Sequence, residues 1–208
     1  DPELLLERCG TDAVRWYLLR DIQFGDDGDF QQQRFVDLVN NDLANTIGNL
    51  LNRTSSMSRK WFGNGLPAVA ETVRDDHVLR GKAELTIQQV RTSMPELNFQ
   101  KAAEAVLQLA IDTNGFLNEK APWSQMKQPG QEVQVGEDLY AVLECSRIVG
   151  ILLQPIVPDL SQRILAQLSL SPISGSWNDH LNWGRLVPGS PLPKPEPVMQ
   201  RLELESPL

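Results

Sequence analysis

The chain has 208 residues and a formal net charge of −8, which argues against a protein that grips nucleic acid by bulk electrostatics but leaves room for local contacts to unpaired bases. An apolar fraction of 41% suffices for one helical domain, or one with a small appendage. No apolar run is long enough to span a bilayer, so an integral membrane protein is excluded, and the opening Asp1-Pro2-Glu3, with no Met and no basic leader, reads as a piece of something longer.

In chain order, Asp1 can cap a short helix with Pro2 at its first position, and Gly10 ends it. Thr11 can cap the next helix, Asp12 to Leu19, whose apolar members are Val14, Trp16, Tyr17 and Leu19. Phe24 to Phe30 is a turn holding Gly25, Asp26, Asp27, Gly28 and Asp29. Its aspartates raise calcium as a reading, but the EF-hand loop pattern with its closing Glu is absent, and the turn is taken as solvated. Asp29 followed by Gln32 fits a capping box.

A long helix is predicted over Phe35 to Phe62. Val36, Val39, Leu43, Ile47, Leu50, Thr54, Met57 and Trp61 recur at helical spacing and form one buried stripe. Beside it runs a polar stripe of Asp42, Asn45, Asn49 and Arg53. Phe62 to Thr72, with Gly63, Gly65 and Pro67, reads as a connection. Asp75 to Met94 is an amphipathic helix stopped by Pro95. Asn98 can cap the next, Phe99 to Lys120, with Ala103, Val106, Leu107, Leu109, Ala110 and Leu117 inward. Ala121-Pro122-Trp123 breaks it, and Gln125 to Gly136 is an exposed loop. Gly136 to Gln154 is the most apolar helix of the set. Pro155 and Pro158 bracket a corner, and a last helix covers Asp159 to Leu168. From Ser169 onward the prolines at 172, 188, 191, 193, 195 and 197 predict an extended strap over the bundle. Val198 to Leu204 carries a weak strand signal. Cys9 and Cys145 stand far apart, without zinc spacing, and are read as buried thiols in a reducing compartment. His77 and His180 stand alone.

No catalytic constellation stands out: there is no Gly-rich phosphate loop, no nucleophile elbow and no His pair at metal spacing. The carboxylate pairs Asp75/Asp76 and Glu137/Asp138 sit at predicted helix starts, where they serve the helix dipole. Two features rise above this background. Asn49 and Arg53, four apart, set an amide and a planar guanidinium on one face, a pair able to read a base edge; an ordinary solvated face is the other reading. Trp123, after Pro122, is either a core tryptophan or an indole offered to a base. Trp16, Trp61, Trp177 and Trp183 are read as packing.

Several motifs in order resemble the carboxyl-terminal half of the methionyl-tRNA synthetase family, class I aminoacyl-tRNA synthetases. Gly10-Thr11-Asp12-Ala13-Val14-Arg15-Trp16-Tyr17-Leu18-Leu19 is similar to the family's segment after its Rossmann domain. Phe24 to Phe30 is similar to the following turn. Asp42-Leu43-Ala44-Asn45 and Gly48-Asn49-Leu50-Leu51-Asn52-Arg53 are similar to the start of its anticodon-binding bundle. Lys120-Ala121-Pro122-Trp123 and Pro155-Ile156-Val157-Pro158 match later signatures. The resemblance implies an all-α antiparallel bundle of about five main helices, with residues 1–30 as a stem-contact linker and 31–208 as the anticodon-binding bundle and its extended tail. It implies that Asn49 and Arg53 contact anticodon bases of methionine tRNA, that Trp123 stacks under the cytosine of CAU, and that Pro122 shapes that corner. Asn118 departs from the family, in which some relatives carry an aspartate. The His-x-Gly-His and Lys-Met-Ser-Lys-Ser motifs do not occur. The segment is therefore expected to hold no catalytic residue, metal or cofactor, leaving ATP with magnesium, and zinc, to an N-terminal catalytic half that would be its partner. The resemblance further implies a cytoplasmic monomer, with an organelle stroma or matrix as the other compartment. Two alternatives stay open: the anticodon domain of a sister synthetase for leucine, isoleucine, valine or cysteine, and a helical scaffold that binds only protein.

Overall fold

The computed structural model describes residues 2–69 and 77–203. The Asp1 cap, the Asp75/Asp76 pair, the end of the connection at Thr72 and the position of Leu204 lie outside the described residues. The chain runs through α1 (Pro2–Cys9), α2 (Thr11–Asp21), α3 (Gln32–Leu38), a π-helical stretch (Val39–Gly48), α4 (Asn49–Trp61), α5 (Val78–Ser93), α6 (Phe99–Lys120), α7 (Pro122–Gln125), α8 (Glu132–Leu153) and α9 (Pro158–Gln167). A 3-10 turn (Trp177–His180) interrupts the proline-rich tail. The predicted helix bundle is present. α8 runs through its centre, buried along nearly its whole length, with α4, α5, α6, α7 and α9 packed around it. α1 and α2 contribute Cys9, Ala13, Trp16 and Tyr17 to the same apolar core. Cys9 and Cys145 are buried thiols, and burial pushes Cys145 up to about 12.

The predicted long helix is real but longer, from Gln32 to Trp61, and its middle is wound more widely. There the Asn49 N–H reaches back five residues to the Ala44 carbonyl. Wide winding strains the backbone ladder, and polar side chains add bonds to its carbonyls: the Thr46 hydroxyl donates to Asn41 O at 2.7 Å and the Asn114 amide of α6 to Thr46 O at 3.1 Å. The apolar stripe is inward, with Val39, Leu43, Ile47, Leu50 and Thr54 buried.

Several expectations need correcting. Asp42 is not on the polar stripe: it is buried, and the Trp16 indole N–H donates to its carboxylate at 3.1 Å. The Asp29 capping box is absent, because α3 starts after Gln31 with no side-chain cap, while the Asp29 carbonyl faces the Tyr17 hydroxyl. Thr11 is the first residue of α2 rather than its cap. α8 begins at Glu132, so the exposed loop is shorter and Asp138 lies inside the helix, buried, accepting from the Gln134 amide at 3.1 Å. The described residues from Val198 onward form no strand. His77 does not stand alone: its Nδ1 accepts from Leu79 N–H and caps α5. The Asn98 cap and the inward face of α6 are as predicted.

The tail is fixed by charge buried inside the most apolar helix. Glu144 and Arg147, 0% and 2% exposed, form an ion pair on α8. Arg147 also donates to the carbonyls of His180 and Asn182, and Glu144 accepts from the N–H groups of Arg185 (3.0 Å) and Leu186 (3.1 Å). Further along, the tail lies against the α4–α5 connection, with Leu66 N–H donating to Ser190 O at 2.8 Å and Gly189 N–H to Leu66 O at 3.1 Å. Arg163 and Asn40 clamp it at Val198 and Leu202.

Removing one member of a buried pair leaves an uncompensated charge. Glu144→Ala should therefore cost about 3–5 kcal/mol in urea unfolding; a loss under about 1 kcal/mol, the size expected of an exposed pair, would contradict the buried anchor.

Burial raises Asp42 and Asp12 above the ordinary aspartate value of 3.8, against the opposing bonds from Trp16 and Leu160 N–H respectively. A carboxyl raised in the folded state binds its proton more tightly there, so its stabilising share is full below 3.8 and falls as pH rises through the raised value. Asp42→Asn should show a shallower fall of melting temperature over that interval than the native chain; identical profiles would contradict the assignment.

Candidate nucleic-acid interface

The interface is built where α4 meets the break between α6 and α7. The α6 helix ends because Ala121 adopts the left-handed conformation (φ 43°, ψ 58°), and Pro122 cannot continue a helix but suits the first position of a new one. The Ala121 N–H closes α6 on Leu117 O at 3.0 Å, while its carbonyl accepts from Ser124 N–H at 2.8 Å and Gln125 N–H at 3.1 Å. One residue thus caps two helices. Pro122 is buried under the corner, and Trp123 projects from it with 37% of its surface exposed. The reading of Trp123 as a core tryptophan does not hold. Trp16 is fully buried, and Trp61, Trp177 and Trp183 pack against the core.

Across the corner lies Arg53 of α4. Its guanidinium carbon stands 5.4 Å from the centroid of the Trp123 ring, and its Nη2 donates to Asn118 Oδ1 at 3.4 Å. A guanidinium over an indole at this range is attracted by the ring's negative face, by about 0.5–1 kcal/mol at an exposed site. Asn49, one turn before Arg53, is exposed and has no side-chain hydrogen bond among the described residues. The structure therefore brings Arg53 and Trp123 together directly, with Pro122 preceding the indole in the corner, and sets Asn49 one turn before Arg53 on the same helix. Lys120, with its ammonium 5.5 Å from the Phe116 ring centroid, adds a second cation near the corner. This local positive charge sits on a chain whose net charge is −8.

One positioning group escaped the sequence reading: Asn114, whose amide donates to Thr46 O in the wide winding that precedes Asn49. Asn118, singled out in the sequence only as a departure from the family, accepts from Arg53. The Ala121 break was legible, but not that Ala121 takes a backbone conformation that favours glycine. Among the described residues, no group of three or more His, Cys, Asp or Glu is placed to hold a metal ion, and no helix is long and apolar enough to cross a membrane. The arrangement offers stacking and hydrogen bonding to a flat, unpaired ring, and no nucleophile paired with a base.

Known proteins resemble this chain in sequence and overall fold. Residues 66–206 match the family described as the anticodon binding domain of methionyl tRNA ligase, and residues 1–55 match the class I tRNA synthetase family for methionine. A methionine–tRNA ligase of Synechocystis sp. is 39% identical over 98% of this chain, which spans 40% of that protein. The chloroplastic/mitochondrial methionine–tRNA ligase of Arabidopsis thaliana is 36% identical over 98% of the chain, spanning 34% of its length. The crystal structure of ligand-free methionyl-tRNA synthetase from Mycobacterium tuberculosis superposes with a TM-score of 0.87 at 31% identity, covering 98% of this chain and 41% of that one. The chain thus spans about two fifths of the length of such relatives.

The left-handed alanine gives a direct check on the corner. An L side chain in that region costs about 1–2 kcal/mol, part of which glycine returns as a freer unfolded chain. Ala121→Gly should raise stability by about 1 kcal/mol in thermal unfolding; a lowered melting temperature would mean that the corner is not held in this conformation.

Proposed function

This chain belongs to the methionyl-tRNA ligase family, and on that premise we propose that it reads the CAU anticodon of methionine tRNA through Asn49, Arg53, Pro122 and Trp123. The observation that carries the reading is the Arg53 guanidinium lying over a partly exposed indole at a corner. A splayed base stacks on that indole, a contact worth about 1–3 kcal/mol. The guanidinium rests on one long hydrogen bond and a cation–π contact, so it swings to a base edge at little cost. The Asn49 amide, able to donate and accept, meets the same nucleotide from one turn away. Pro122 keeps the indole at its angle by fixing the first turn of α7.

In the same reading, residues 1–30 touch the tRNA stem and residues 31–208 form the anticodon-binding part. The ATP-dependent charging of tRNA with methionine belongs to the remainder of a full-length ligase, where ATP with magnesium and any zinc are held. The working compartment is the cytoplasm or an organelle interior, the latter in keeping with the chloroplastic/mitochondrial name of the Arabidopsis relative. A sister synthetase for leucine, isoleucine, valine or cysteine fits less well, since the residue pairs Asn49/Arg53 and Pro122/Trp123 occur here together. A purely protein-binding scaffold leaves the exposed indole and its guanidinium without a use.

Titration with RNA hairpins tests the reading. Trp123→Ala should weaken binding of a CAU stem-loop by about 1–3 kcal/mol, and an unchanged affinity would refute it. Arg53→Ala should lower discrimination at one anticodon base by about 1–3 kcal/mol; equal losses for every loop sequence would instead make Arg53 a phosphate contact.

A further inference from the structure

Next to the Arg53–Trp123 corner the surface opens into a groove of about 600 Å3. One wall is the end of the π-helical stretch and the start of α4, with Asn45, Asn49 and Asn52; the other is the tail, with Met199, Gln200 and Arg201. Asn49 is common to the groove and to the proposed reading face, so the two surfaces are continuous. The volume lies within the range of small-ligand sites and admits a nucleotide.

The groove is already built. Asn40 holds the backbone of Leu202 by two bonds, donating to its carbonyl at 3.0 Å and accepting from its N–H at 2.7 Å. Arg163 donates to Val198 O at 2.7 Å from the other side of the tail. Arg201 donates from Nε and Nη2 to Asn45 Oδ1 at 3.0 and 2.7 Å, tying the two walls together. Against this framework the amides of Asn52 and Gln200 have no hydrogen-bond partner among the described residues. A pre-formed cleft with free amides and fixed walls is suited to reading a flat polar ring. Charge contributes little, because Glu203 lines the groove opposite in sign to Arg201.

We propose that this groove takes the unpaired base next to the one stacked on Trp123, and that Asn52 and Gln200 read it. The proposal rests on the anticodon reading above and adds a second base site to it. Side-chain amides match adenine bidentately, through its exocyclic amine and adjacent ring nitrogen, and adenine is the middle base of CAU. Met199 offers a polarizable apolar surface against the ring. The tail is then part of the recognition surface as well as a cover for the bundle.

The test is a titration of the 208-residue chain with fluorescein-labelled hairpins carrying CAU, CGU, CCU or CUU loops. The native chain should favour CAU over the other three by at least about fivefold. The Asn52→Ala/Gln200→Ala double variant should bind all four within about twofold of one another, while still losing affinity when Trp123→Ala is added. Neither side chain makes a hydrogen bond among the described residues, so the double variant should retain its helicity, checked by circular dichroism. Retained preference for CAU in that variant, with Trp123 dependence intact, overturns the groove site alone. Native binding that ignores both the loop sequence and Trp123→Ala overturns the anticodon reading and the groove with it.

Discussion

A guanidinium from α4 lying over an indole from α7 requires two helix elements far apart in sequence to hold their phases together. The contact itself is weak. What makes it a fixed feature is the rigidity on either side. On one side, the left-handed Ala121 and the following Pro122 leave the indole little choice of direction. On the other, the π-helical stretch sets which residues of α4 face outward, and Asn114 of α6 supports that winding at the Thr46 carbonyl. Because α6 carries Asn114 and Asn118 and ends at Ala121, one helix braces both halves of the candidate surface.

The second layer of support is buried charge. An apolar helix with a sealed Glu144–Arg147 pair is a costly thing to fold, and the cost is offset because both Glu144 oxygens and both terminal Arg147 nitrogens find backbone partners in the tail. The pair therefore dictates where the tail enters its path. Tyr140 repeats the arrangement with a neutral group, donating to Leu186 O at 2.7 Å. The tail emerges at Val198 to Leu202 beside α4, where Arg163, Asn40 and Asn45 secure it. The interactions that close the bundle thus also build the wall next to Asn49.

Much of this was legible in the sequence because it depends on local pattern. The apolar rhythm of the long helix, the Asn98 cap and the Ala121-Pro122 break each follow from residues close together in the chain. The candidate residues stand out locally, Asn49 and Arg53 one turn apart and Trp123 after a proline, but spacing alone fits a solvated face and a core tryptophan as well, and it is the family resemblance that singles them out. What could not be read depends on partners distant in sequence. Asp42 carries a surface-like pattern, yet the Trp16 indole from α2 draws it inward. Asp138 sits inside a helix that begins earlier than its loop-like composition suggested. His77 becomes a cap through its ring, a role outside the usual capping set. Nothing in a 3.6-residue rhythm announces π winding, since apolar spacings of three and four fit both.

The account rests on Arg53 and Trp123 acting on RNA as one unit. A double-mutant cycle with Arg53→Ala and Trp123→Ala, measured by affinity for a CAU stem-loop, probes that directly. Residues in contact and sharing a ligand should show a coupling energy of about 0.5–3 kcal/mol. Losses that add to within about 0.3 kcal/mol would mean that the two side chains bind independently, and would contradict a shared reading surface.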